Sequence, residues 1–219
     1  IDSSASTVAL SLTRALLREV ARLSFSSGLA HDQAEGLLTR NVDLIISSDV
    51  MDDVDGIDRY PILTEPFLLL LPDKLAAQMP KPDLKALAAS YPLIRFSARS
   101  MIGAPIERHL RRLGVKAPPL LEVDASDALL AIVAEGLGWG IATPLCVLQA
   151  RSRLDGISVL PFPAPHFVRH LHLFSRTDEL GALPGRIAQL ACDIFQRDCV
   201  PDLIRLAPWL RGQMVIGAA

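Results

Sequence analysis

Apolar positions recur along the chain with two different periods, and each change of period predicts a change between helix and strand. Residues 7–23 have apolar side chains at helical spacing, although Leu10, Ala15 and Leu17 spread the apolar surface beyond a single stripe. Residues 42–49, VDLIISSD, are apolar on both faces, as expected of a strand inside a parallel sheet. We therefore predict a helix followed by a buried strand in this first part of the chain.

The same two periods, together with the turn residues between them, predict the remaining elements. Helices are predicted at 31–40, 104–114, 127–136, 144–154 and 184–199. Strands are predicted at 24–30, 59–73 (two strands), 91–97, 119–126, 139–144, 157–162 and 170–176. This alternation predicts an α/β fold with parallel sheets and helices on both faces.

Two groups of strands and helices are separated by the extended segment near residues 70–74, and the chain returns near 161–174 to add a last strand and helix. This order predicts two lobes joined by a double crossover. We expect residues 1–71 and 165–219 to form lobe I and residues 72–164 to form lobe II. A ligand cleft between the lobes would follow from that arrangement.

Composition and charge narrow the class of protein. The chain has 22 Lys and Arg residues against 24 Asp and Glu residues, so no overall positive field exists to hold a nucleic-acid backbone. The apolar run at 66–72 is far shorter than the ~20 residues that span a bilayer, and no secretory signal peptide opens the sequence. We therefore expect a cytoplasmic protein without a membrane contact.

The three cysteines, Cys146, Cys192 and Cys199, have apolar neighbours and spacings unlike those of a zinc site. We expect reduced, buried thiols.

Three glycines alternate in the segment AEGLGWGIATP, residues 134–144. A dinucleotide-binding loop needs its glycines after a strand and before a helix, whereas these follow a predicted helix and precede a strand. We predict that Gly136 is the left-handed residue that ends the helix, with Leu137 packing back against it. Gly138 and Gly140 would then turn the chain into the strand. No cofactor is expected.

The segment EVDASDALLAIVAEGLGWGIATP, residues 122–144, resembles the effector-binding domain of LysR-type transcriptional regulators. The segments NVDLIISSD, YPILTEPFLLLLPDKLA and DLKALAASYPLIRFS are similar to other parts of that domain in the same order, so the resemblance covers nearly the whole chain. It implies two Rossmann-like lobes of the type II periplasmic-binding-protein-like fold. The family's winged helix-turn-helix DNA-binding domain would lie before Ile1.

The resemblance also implies a function. It indicates a ligand-sensing and dimerisation domain that binds a small effector, an organic acid, between the lobes and contacts DNA only through the N-terminal domain. Three features differ from the family pattern: the usual proline of the first helix is replaced around Thr13, Ser48 stands where the family sometimes has an arginine or lysine, and the tail 200–219 is longer and more apolar.

Hydroxyl groups at the start of the first helix, in the segment DSSAST, are the strongest candidates for effector contacts. Free backbone N–H groups and the positive end of the helix dipole can hold a carboxylate there, while capping by a single serine is the alternative. The resemblance adds a strand end, a second-lobe loop and the start of the second helix. The candidate effector residues are Ser3, Ser4, Ser6, Thr7, His31, Ser47, Ser48, Arg95, Phe96, Ser97, Ala98, Asp124 and Thr143.

Several candidates have a structural alternative. Arg95 offers two donors to a ligand carboxylate or pairs with Glu122 or Asp124, and Phe96 lines the cleft or lies in the core. His170 and His172 share one strand face, but no carboxylate or cysteine completes a metal site, so none is expected. No nucleophile, acid or base pattern predicts catalysis.

The apolar breadth of residues 8–23 and of ALLAIVA, 128–134, leaves two helices without a polar face. In the regulators that the chain resembles, these helices pair across an antiparallel dimer, so we expect a homodimer or a tetramer built from it. The predicted interface residues are Val8, Leu12, Ala15, Leu129, Ile132 and Val133. Full burial within one chain is the alternative.

Two other functions fit the same two-lobe architecture. A solute-binding receptor would require export and a signal sequence. A dehydratase-like enzyme would require an acid or base of shifted pKa in the cleft, for which Asp124 and His31 are the best candidates.

Overall fold

The computed structural model describes residues 3–18, 20, 22–27, 30–48, 51–97, 100–118 and 120–217. The helices are α1 Ala9–Leu16, α2 Ala30–Leu38, α3 Asp73–Gln78, α4 Leu84–Ser90, α5 Gly103–Arg112, α6 Ser126–Ala134, α7 Pro144–Gln149, α8 Leu183–Ile194 and α9 Val200–Leu206. The strands are β1 Leu44–Ser47, β2 Ile57–Pro66, β3 Leu68–Pro72, β4 Leu93–Phe96, β5 Leu121–Val123, β6 Trp139–Ala142, β7 Ile157–Pro161, β8 Val168–Arg176 and β9 Val215–Ile216. Tighter 3-10 segments occur at Ser3–Val8, Arg151–Arg153 and Pro208–Leu210, and a π-helical segment at Phe195–Cys199 continues α8.

The chain divides into two compact units. Unit 1 consists of Ile1–Glu65 and Arg169–Ala219, and unit 2 of Pro66–Val168. The chain therefore passes from one unit to the other twice, once within β2 and once within β8, which is the double crossover expected of a two-lobe α/β fold.

Unit 1 is built on a four-stranded sheet in the order β1-β8-β2-β9. β1 runs antiparallel to β8, with Ile45 opposite Phe174 and Ser47 opposite His172. The C-terminal strand β9 is antiparallel to β2, and the Gly217 N–H donates to the Ile62 carbonyl at 2.9 Å. Leu37, Ile45 and Phe174 belong to the buried core of this unit.

Unit 2 is built on a five-stranded sheet in the order β5-β4-β6-β3-β7. β4 is parallel to β5 and to β6, whereas β3 is antiparallel to both β6 and β7. Residues 68–71 of β3 are all fully buried leucines, because this strand lies between β6 and β7 and helices α6 and α3 pack against it.

The predicted helices and strands largely coincide with the observed ones, but the expectation of parallel sheets was only partly right, because β4 is parallel to β5 and β6 while other pairs are antiparallel. Antiparallel pairs occur in both sheets, since β1, β3 and β9 run against the strands beside them. The reason is topological: the chain re-enters unit 1 through the long strand β8, which runs against β1, and such antiparallel members are common in α/β sheets.

The first helix is shorter than predicted. α1 ends at Leu16, and the described residues between 20 and 27 form neither helix nor strand, although a helix to residue 23 and a strand at 24–30 were expected. Ser24, Ser26 and Ser27 favour local hydrogen bonds over a continued helix. An isolated strand also needs a paired neighbour, and none of the described strands pairs with this segment.

The glycine segment ends α6 as predicted, but Leu137 and Gly138 differ from the prediction. Gly136 has φ +75°, and the Leu137 N–H donates to the Ile132 carbonyl at 3.3 Å, the bond expected at a left-handed helix end. Leu137 is 61% exposed, so the expected packing against the helix was wrong. Gly138 does not act through a turn: a Cβ there would collide with the Pro92 carbonyl oxygen, so close approach of the backbones requires glycine.

All three cysteines are free and buried, as expected. Among the described residues, no helix is both long and apolar enough to cross a bilayer.

Candidate functional site

The opening of the first helix in unit 1 is a 3-10 segment, Ser3–Val8, that packs against the π-helical segment after α8. Ser6 and Thr7 are half-buried, and the Thr7 hydroxyl forms a hydrogen bond with the Cys199 thiol. Burial, followed by the charge of Asp198, raises the pKa of Cys199 to about 11, so its thiol is neutral. The structure therefore gives Thr7 a structural partner inside unit 1.

The carboxyl end of β1 places two predicted effector residues next to each other. Ser47 is fully buried opposite His172, and Ser48 follows at the strand end. The Ser48 hydroxyl is buried without a hydrogen-bond partner among the described residues. Because an unsatisfied buried hydroxyl costs about 1–3 kcal/mol, this position is one where a bound polar group would be favourable.

Two histidines, His170 and His172, lie on β8, and His172 is the residue paired with Ser47. His170 shares a hydrogen bond of 2.9 Å with the Thr64 hydroxyl. Burial, then the charges of His170 and Arg59, lower the pKa of His172, against the opposing effect of Asp52. Within the described part of the chain, no group of three His, Cys, Asp or Glu side chains is arranged to hold a metal ion.

A buried ion pair joins β2 to β8 in unit 1. One carboxylate oxygen of Glu65 accepts hydrogen bonds from Nε and Nη2 of Arg169 at 3.0 and 2.5 Å. Their side chains are 0% and 2% exposed. Sequence reasoning missed this pair, although a signal existed: Arg169 lies in phase with the apolar residues Leu171 and Leu173 along β8.

In unit 2, the predicted ligand arginine is already engaged. The Arg95 guanidinium forms an ion pair with Glu107 of α5 and donates to the Ala117 carbonyl. Burial lowers the pKa of Arg95, and the charge of Glu122 opposes that effect. Arg95 therefore pairs with an acidic residue within the protein, as the structural alternative predicted. The partner is Glu107, and not the expected Glu122 or Asp124.

The loop after β4 is fixed to the start of α5. The Ser97 N–H donates to the Val123 carbonyl at 3.0 Å, and the Gly103 N–H donates to the Ser100 hydroxyl at 2.8 Å. A Cβ at Gly103 would collide with the Ser97 carbonyl oxygen, so only glycine lets the helix approach this loop.

The other predicted residues of unit 2 differ in exposure. Phe96 is buried in the core, which is the alternative considered above, and Ser97 is also buried. Thr143 is fully buried, and its hydroxyl donates to the Cys146 sulfur at 3.4 Å. Asp124 is exposed. The side chains of Ser3, Ser4 and His31, and the whole of Ala98, lie outside the described residues.

The predicted dimer residues fall into two groups. Val8, Leu12, Leu129 and Val133 are at most 1% exposed in the single chain, so they have no area left for a partner. Ala15 and Ile132 are half-buried. Leu10 of α1 and Leu17, directly after α1, are not among the predicted interface residues, yet they are 62% and 57% exposed.

A known protein family matches most of the chain. A model of the LysR substrate binding domain matches residues 2–187. No curated protein sequence is significantly similar to the chain.

Solved structures share the fold at low sequence identity. The effector binding domain of QuiR in complex with shikimate is 17% identical, with a TM-score of 0.71 over 91% of this chain and 96% of that chain. The regulatory domain of Synechocystis CcmR in complex with 2-PG is 14% identical, with a TM-score of 0.67 over 90% and 95%. The regulatory domain of MetR, a LysR family regulator from N. meningitidis, is 13% identical, with a TM-score of 0.72 over 100% and 97%.

Proposed function

Because the chain belongs to the LysR substrate binding domain family, we propose that it is the effector-sensing domain of a LysR-type transcriptional regulator and that its effector is a small organic acid. Shikimate, the ligand in the QuiR complex, is a hydroxylated carboxylate of this class. A regulator acts where its DNA is, so the proposal places the protein in the cytoplasm.

The observation that carries the site assignment is the buried Ser48 hydroxyl without a partner among the described residues, next to the fully buried Ser47. Ser48 lies at the carboxyl end of a strand, where ligands commonly bind in α/β folds. A carboxylate oxygen would accept a hydrogen bond from this hydroxyl and satisfy it.

The charge of the site also bears on the ligand. Among the described residues of unit 1, the buried Arg169 is paired with Glu65, so the site assignment rests on the neutral Ser48 hydroxyl as the donor. Recognition by neutral donors predicts affinity that depends only weakly on salt, unlike recognition by a free guanidinium.

Isothermal titration with shikimate, 2-PG and a set of aliphatic and aromatic carboxylates tests the proposal. For the acid that binds, Ser48→Ala should weaken affinity by roughly five- to tenfold, the value of one hydrogen bond. Ser152→Ala, an exposed serine in the segment Arg151–Arg153, is the matched control and should change nothing. If no acid binds the folded chain, or if Ser48→Ala binds as well as the wild type, the carboxylate assignment fails.

We further propose a homodimer that uses the exposed surface of the first helix. Leu10 and Leu17 lie seven residues apart, two helical turns, and with Ala15 they present apolar area to solvent. The half-buried Ile132 of α6 is the proposed contact on the partner chain. DNA binding is assigned to a separate winged helix-turn-helix of the regulator, because these 219 residues have a net charge of −2.

Sedimentation velocity tests the dimer. Leu10→Lys should shift the protein toward monomer, since it places a charge in the proposed interface. Leu38→Lys, at a half-exposed leucine on α2, is the control and should leave the dimer intact. Equal behaviour of the two variants would remove the first helix from the interface.

A further inference from the structure

His109 lies in the middle of α5 and is almost completely buried, at 4% exposure. Its ring stacks on Phe167 with centroids 3.9 Å apart and an interplanar angle of 12°. It meets Phe162 edge-on at 5.5 Å, and its Nε2 donates to the Pro165 carbonyl at 3.0 Å. Three neighbours from one segment thus fix the orientation of a single imidazole.

The segment that His109 contacts is one of the two through which the chain enters and leaves unit 2. Phe167 lies one residue before β8, and Phe67 lies one residue after β2. These two rings stack at 4.0 Å and 7°, and the Phe67 N–H donates to the Phe167 carbonyl at 3.1 Å. His109, Phe167 and Phe67 therefore form one continuous stack that holds both connecting segments.

The first turn of α5 is attached to the loop before it, of which Ser97 and residues 100–103 are described. Ser100 caps the first turn through its hydroxyl bond to the Gly103 N–H and its carbonyl bond to the Ala104 N–H. Glu107 adds the ion pair to Arg95 on β4. Gly103 and His109 are six residues apart, about 9 Å along the same ten-residue helix.

We infer that His109 is a positioning residue that couples the described residues of the loop before α5, Ser97 and residues 100–103, to the two connecting segments of unit 2. The inference rests on the proposed function, because this loop contains Ser97, one of the predicted effector residues. Any shift of the loop moves α5, and His109 transfers that shift to Phe167 and Phe67. Because such coupling acts in both directions, a change at His109 should also affect the loop.

Hydrogen exchange of single amides in the whole chain tests this without any effector. His109→Leu should speed exchange of the Phe67 and Gly103 amides by about tenfold, through loss of the ring stack, and leave β3 amides such as Leu69 unchanged. His109→Phe keeps an aromatic ring and should leave the Phe67 amide nearly as protected. Arg111→Ala, at an exposed position on the same helix, is the control.

The reverse experiment starts from the loop. Gly103→Ala forces the helix away from the Ser97 carbonyl and should shift the ¹⁵N resonance of the His109 Nε2. A merely structural role predicts equal acceleration of all unit 2 amides, and that result, or an unchanged Phe67 amide in His109→Leu, would overturn the inference. These readouts need no ligand, so a failed acid titration would refute the proposed function and leave the coupling standing.

Discussion

Each unit of the molecule contains a buried arginine paired with a glutamate, and the two pairs differ in how completely they are removed from water. Arg169 and Glu65 in unit 1 are 2% and 0% exposed, whereas Arg95 and Glu107 in unit 2 are 9% and 29% exposed. The first pair joins two strands of one sheet, and the second joins a strand to a helix on its surface. Loss of one partner of the ion pair should therefore lower the free energy of unfolding more in unit 1 than in unit 2.

The largest effect is expected when one partner of the fully buried pair of Glu65 and Arg169 is removed. Glu65→Ala should lower the free energy of unfolding by about 3–5 kcal/mol, because it leaves the Arg169 charge buried without its carboxylate. Urea denaturation followed by circular dichroism measures the change. The double variant Glu65→Leu with Arg169→Met removes both charges and should recover most of the loss. A double variant as unstable as the single one would mean that packing, not charge, determines the stability of this position.

A smaller effect is expected for the partly open pair. Glu107→Gln should lower the free energy of unfolding by about 1 kcal/mol, since solvent screens the half-exposed carboxylate and Arg95 keeps its bond to Ala117. The same denaturation experiment applies. A loss as large as that of Glu65→Ala would show that the difference in exposure does not govern the two pairs.

The smallest effect concerns His109, a buried basic group of unit 2 that lies against a carbonyl and aromatic rings. Burial is the main cause that lowers the pKa of His109 below its usual 6.5, the charge of Arg112 acts in the same direction, and the bond to Pro165 opposes it. The folded state then binds fewer protons than the unfolded state, so stability is complete above the unfolded pKa and falls as pH drops through the folded one.

Denaturation of the wild type and of His109→Phe at about pH 7.5 and pH 5 measures this contribution. The wild type should lose more stability than the variant on acidification, because a phenylalanine side chain has no group that takes up a proton. The difference between the two chains is the relevant quantity, since His172 also has a lowered pKa and acts in the same direction in both. Equal pH dependence would assign the effect to His172.

Local pattern predicted most elements, because burial of one or both faces leaves a period in the sequence. The leucines of β3, the apolar helix α6 and the helix end at Gly136 all follow from spacing and turn chemistry. The order of the two groups of strands and helices predicted the division into two units, and the family resemblance implied the same division. The antiparallel direction of β1 was missed, since direction depends on which distant strand lies alongside and not on the residues of β1.

The site was predictable only in part. Ser47 and Ser48 are found at a strand end as expected, but the partners of Arg95 and Arg169 are set by tertiary packing over 12 and 104 positions in sequence. Of the predicted dimer residues, Val8 and Leu129 are covered within the single chain, because the helices that carry them are packed against their own units on those faces. Apolar residues at helical spacing show that one face of a helix is buried, but they do not show whether the same chain or a partner chain covers it.

The strand β9 has a practical consequence for anyone producing this protein in shortened form. The family match stops at residue 187, inside α8. A protein shortened to residue 187 would lack β9, and the backbone of Leu63 and Thr64 would lose its pairing with that strand. An exposed edge strand of this kind pairs with the same edge strand of another molecule, and such pairing leads to aggregation. A shortened version of this protein should therefore keep the residues up to Gly217, so that β9 still pairs with β2.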